Sequence, residues 1–173
     1  MKRLLAIFIL VASAAFGQQI KNPVSGVLRD SLAVRQKNIL AALQAMPADK
    51  YAFKPTPEQM SFGHLAVHIA ESNYFFCANV GNAPQPKTEE LKGDEDKAKL
   101  VDAVQASFDF CGAALAKADD ATLGDTITGF DGKPRSRAWA FLALASSWAD
   151  HYGEAAMYLR LNGLLPPTAQ PRK

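Results

Sequence analysis

The sequence has 173 residues, with 19 lysines and arginines against 17 aspartates and glutamates, three histidines and two cysteines. The basic residues are scattered, Lys133, Arg135 and Arg137 coming nearest to a cluster, which excludes the concentrated positive surface that nucleic-acid binding requires. A chain of this length suits one domain able to bury its own core, so disulfides are not needed for stability.

Met1-Lys2-Arg3 is a short basic opening, Leu4 to Phe16 is apolar, and Ala15-Phe16-Gly17 places small residues at −3 and −1 before Gln18. Together these read as a secretory signal peptide over residues 1–17, the apolar run being shorter than the roughly 20 residues of a spanning helix. The expectation is an exported protein, periplasmic or extracellular, whose mature domain is residues 18–173; an uncleaved N-terminal anchor is the alternative. Lys2 and Arg3 fall in the leader, which leaves 17 basic against 17 acidic side chains and no net charge. No later segment is long and apolar enough to span a bilayer.

Val24, Val27, Leu28, Leu32, Ile39, Leu43 and Met46 form a helical stripe interrupted by Arg35, and Pro47 closes this first helix. After a polar link with Pro55 and Pro57, Ser61 is placed to cap a second helix that runs to about Val80 and stops at Gly81 and Pro84. Residues 81–95, rich in proline, glycine and charge, read as a crossover loop. A third helix takes up around Lys97 with Leu100, Val101, Val104, Phe108, Cys111, Ala114 and Leu115 on one face. Thr126 to Phe130 has extended character ahead of a turn at Asp131-Gly132, with no obvious partner strand. From about Ser136 to Asn162 runs the longest helix, ended by Gly163 and Pro166-Pro167. The fold class is therefore all-α, a four-helix bundle whose long connections include at least one crossover.

Each helical residue advances about 100°, so His64 and His68 lie about 40° apart with Glu71 in the same sector. His151 stands in the fourth helix with Ser147, Glu154 and Tyr158 on or near its side. If the second and fourth helices are neighbours, His64, His68 and His151 form a three-nitrogen site for a divalent metal, with a fourth position open to water or substrate. Glu71 or Glu154 would then orient a ring or act as a general base. Spacing alone also fits core histidines held by a carboxylate or carbonyl. Trp148 reads as core, Tyr158 as a cap of the bundle end or a ligand contact, and Arg160 as structural, paired with an acid such as Asp30. Cys77 is turned about 180° from His68 and is not a ligand. Cys77 and Cys111 are either bridged, as export would favour, or two small buried hydrophobes.

The stretches "DKYAFKPTPEQMSFGHLAVHIAESNYFFC" and "HYGEAAMYLRLNGLLPP" resemble the DinB-like superfamily, and the likeness extends over essentially all of the mature chain. The resemblance implies an up-down-down-up bundle whose second and third helices run parallel. It also implies a metal site built from one histidine of the second helix and a His-x-x-x-His pair of the fourth. His68 matches the first of these and His151 the second member of the pair, but Ser147 stands where its first member belongs. Either His64 replaces the missing ligand, or tight metal binding has been lost and the fold kept.

Two functions are expected from different classes. One is a divalent-metal protein, with zinc or nickel on His64, His68 and His151 and Glu71 and Glu154 as catalytic carboxylates, carrying out hydrolysis or thiol-type transfer on a small molecule. The other is a non-catalytic binding module of the same fold. A homodimer is expected from the habit of the family.

Overall fold

Ser61 adopts extended backbone and its hydroxyl accepts the backbone N–H of His64 at 3.2 Å, which starts the second helix at Phe62. Such local signals set the boundaries throughout the computed structural model, which describes residues 20–171; the leader expected over residues 1–17 lies outside them. Helix α1 spans Pro23–Ala45, α2 Phe62–Val80, α3 Lys97–Leu115 and α4 Arg137–Leu161. Three single-turn helices and one small hairpin fill the connections. Among the described residues no helix is long and apolar enough to cross a membrane.

Two cross-links fix the relation of α2 to α3. Asn73 Nδ2 donates to Ser107 Oγ at 2.9 Å, and Cys77 is disulfide-bonded to Cys111 with Cα atoms 5.1 Å apart. Both pairs are separated by 34 residues, so the two helices run parallel in a constant register. The crossover that permits this returns along residues 81–95 and lies against the start of α2. There Gly63 faces the Gly93 carbonyl so closely that a Cβ on either glycine would collide with the other segment. Helix α2 packs against α3 and α4, and α1 against the same two, giving a four-sided bundle.

Helix C-termini expose unpaired carbonyls, and here each of three is met by a cation from a neighbour. Lys97 Nζ donates to Gln44 O and Met46 O at the end of α1, both at 2.7 Å. Arg137 donates to the Asn79 carbonyl at the end of α2, and Arg29 to Leu115 O and Ala118 O at the end of α3. The Asp120 carboxylate receives the backbone N–H groups of Val24 and Ser25 and the Ser25 hydroxyl at the start of α1. These contacts place the start of α1 with the end of α3, and the end of α2 with the start of α4. The directions are up, down, down, up.

Between the helices lie Ile39, Leu43, Leu65, Ile69, Leu100, Phe108, Leu144 and Leu159, all essentially inaccessible. Trp148 is buried among them, its indole N–H donating to Asn73 Oδ1 at 2.7 Å, and so belongs to the core. Tyr158 closes the bundle end by donating to Met60 O at 2.6 Å.

Three sequence expectations are corrected. Val24 and Val27 are 42% and 71% exposed, because the first turns of α1 show this side to solvent. Thr126–Thr128 does have a partner strand, antiparallel Pro134–Ser136, invisible in the sequence because it is polar and opens with proline. Among the described residues Arg160 forms no ion pair, with Asp30 or any other acid.

Candidate functional site

The antiparallel contact of α2 with α4 brings His68 against His151, their rings meeting edge to face with centres 4.8 Å apart. His151 is 13% exposed, and its Nδ1 lies 3.2 Å from Glu154 Oε2, one turn further along α4. That carboxylate orients the ring and turns Nε2 away from itself, toward other partners. Burial pushes the His68 imidazole below the usual histidine range. His151 pushes the same way, and His64 weakly so, against an opposing pull from Glu154 and Glu71. His68 is thereby kept neutral, the form that accepts a hydrogen bond or binds a metal.

Both rings open into a groove of about 880 Å³ between α2, α4, the hairpin and the crossover at Gln85 and Thr88. Glu71 and Asp150 stand at its histidine end, and Ser147 and Ala143 continue the α4 wall. Its far end is aromatic. Phe75 and Phe76 on α2, Trp139 on α4 and Phe130 in the hairpin turn form one connected set, with ring centres 5.3 to 6.2 Å apart along Phe75–Phe76, Phe75–Phe130, Phe76–Trp139 and Phe130–Trp139. The hairpin fixes Phe130 through bonds from Gly129 N to Lys133 O and from Gly132 N to Gly129 O, Gly132 taking the left-handed backbone that the turn requires. Phe130 is nevertheless 74% exposed.

Of the residues that spacing proposed, the fold unites His68, His151, Glu71 and Glu154 in one neighbourhood. His64 is exposed in the first turn of α2 and does not line the groove. The aromatic wall escaped sequence reasoning because its members are scattered along the chain. The one available signal was a phenylalanine placed directly before the Asp131-Gly132 turn, where a large apolar side chain has no core to enter.

A metal can be tested against this geometry. Two imidazoles binding one ion at about 2.0–2.1 Å in a tetrahedral arrangement have ring centres about 5 Å apart, which the observed pair satisfies. A third donor is what the arrangement lacks. Ser147 takes the position where the resemblance places the third imidazole, and its enclosed hydroxyl has no hydrogen-bond partner among the described residues. Nor do the described residues contain any group of three His, Cys, Asp or Glu side chains arranged to hold an ion. The residues present therefore do not fit the three-ligand centre.

Comparison with known proteins agrees with the architecture. Residues 31–155 match the family model of the DinB superfamily. Among solved structures, the chain is similar to a DinB-like protein from Bacillus subtilis, 21% identical over 84% of this chain and 99% of that one, with a TM-score of 0.66. A DinB-like protein from Bacillus cereus is 17% identical over 81% of this chain and 93% of its own, with a TM-score of 0.64. A conserved protein from Enterococcus faecalis is 17% identical over 83% and 98%, with a TM-score of 0.65. At such identities the likeness shows the fold alone. No protein of curated function matches the chain.

Proposed function

The chain belongs to the DinB superfamily, and from that premise, which supplies a fold and not a reaction, we propose that it is an exported binding module for a small amphipathic molecule. The observation that carries this reading is the groove itself, with an imidazole pair at one end and an aromatic wall at the other. Small-molecule sites commonly combine an apolar lining with a few placed polar groups. Burying a phenylalanine side chain is worth about 1.5–3 kcal/mol, and Phe130 is held out of the core on the groove wall, where a bound molecule would cover it. Support for export comes from the basic, apolar and small-residue pattern of residues 1–17 and from the Cys77–Cys111 bridge, which oxidising compartments favour.

Nile red, a neutral dye that brightens in apolar sites, tests the reading. Its fluorescence should rise with the wild-type protein and fall back when Ala143→Trp fills the groove. Equal brightening with both proteins would contradict it.

A second reading is favoured by the 4.8 Å ring separation. In it His68 and His151 would hold zinc or nickel as a two-imidazole site, with Glu71 in the groove beside them and Glu154 behind His151. Elemental analysis of the purified protein separates the two readings, since the binding module retains no stoichiometric metal.

A further inference from the structure

The groove's two ends differ in chemistry, and the difference specifies an occupant. At the histidine end the lining carries two carboxylates, Glu71 and Asp150, and no lysine or arginine. Glu154 adds a third acid behind His151. Arg135, at the far end, lies over the Trp139 ring at 5.3 Å and is paired with Asp131 at 2.9 Å, and Lys99, in the cavity adjoining Glu71, is paired with Glu89 and Glu95. Along α4 the distance from His151 back to Trp139 is twelve residues, about 18 Å of helix. Glu71 and Phe75 are one turn apart on α2, so the acidic and aromatic surfaces adjoin without a gap.

Resting on the reading of the groove as a small-molecule site, we propose that its ligand class is an organic cation: an ammonium group on an apolar or aromatic body several bonds long. The ammonium sits between Glu71 and Asp150, beside the His68 ring. The body lies along Phe75 toward Phe130 and Trp139 and covers the exposed Phe130 ring. An anionic head group would meet two carboxylates with no cation to offset them. A neutral head would forgo the attraction while keeping the aromatic contact.

Calorimetry at pH 7.5 in the presence of a chelator, with three probes of one shape, tests this. The probes are 4-phenylbutylamine, 4-phenylbutanol and 4-phenylbutyrate. The amine should bind about tenfold more tightly than the carboxylate, with the alcohol between them, as two exposed carboxylates and a cation–aromatic contact allow. The double variant Glu71→Gln, Asp150→Asn should erase the preference and leave the alcohol unchanged, whereas Phe130→Ala should weaken all three. Both positions are exposed and outside the core, so the double variant should keep the wild-type fold, which circular dichroism checks. Binding of the carboxylate as tightly as the amine, or a preference that survives the double variant, would overturn the ligand class while leaving the groove reading intact. Failure of all three to bind would remove both.

Discussion

His68 on α2 and His151 on α4 face each other edge to face at 4.8 Å, and the first consequence concerns protons. Burial, and then the neighbouring ring, disfavour a charge on His68. Its ring protons, followed by NMR, should titrate below the ordinary histidine value of about 6.5, and His151→Ala should move that midpoint back up. The folded value lies below the unfolded one, so the unfolded chain binds more protons in the window between them. This contribution to stability is complete above about pH 6.5 and is lost as pH falls through that window. His68→Gln should flatten that part of the stability profile. A wild-type His68 titrating at or above the ordinary value would contradict the account.

Asn73 joins three helices from within the core, donating to Ser107 Oγ and accepting from Trp148 Nε1. Asn73→Ala strands the buried Trp148 indole N–H, while the Ser107 hydroxyl keeps its bond to Val104 O at 2.7 Å. A stranded buried donor costs about 1–3 kcal/mol, so urea unfolding should show a loss in that range. A loss under 1 kcal/mol would mean that the network contributes little.

The Cys77–Cys111 bridge closes a loop of 34 residues, which in the chain-entropy account stabilises by about 4 kcal/mol. Reduction should lower the unfolding midpoint and speed unfolding, and alanine at both positions should do the same without reductant. Because α2 and α3 are also joined by Asn73 and Ser107 and by shared core, the reduced protein should still fold. An unchanged midpoint on reduction would show that the bridge adds no stability.

Ser147 lies one turn before His151 on the groove wall. Ser147→His should supply the absent imidazole and tighten zinc binding by at least about tenfold, as the move from two nitrogen ligands to three requires. Unchanged zinc affinity would show that position 147 does not point at the histidine pair.

Much of this architecture was readable because its boundaries rest on local chemistry. Ser61 and Gly81 bracket α2, Pro47 stops α1 near Ala45, and Gly163 follows α4, each acting through a cap or a backbone preference within a few residues. The parallel course of α2 and α3 was implied by the family resemblance, and its physical cause, the Gly63–Gly93 approach and the register of two cross-links, lies in tertiary contact. The candidate site divided in the same way. Helical spacing put His64 and His68 in one sector, but position within α2 separates them: His68 faces α4, whereas His64 is in the first turn, where solvent takes its side. Spacing could not reveal that Phe130, carried on a hairpin whose second strand has no strand-like pattern, reaches the same groove as the histidines.

The most direct test of the central claim follows the three histidine ring signals by NMR as 4-phenylbutanol, a probe without charge, is added. The account predicts that His68 and His151 shift together along one saturation curve while His64 stays in place. Equal movement of His64, or no movement of the pair, would contradict it.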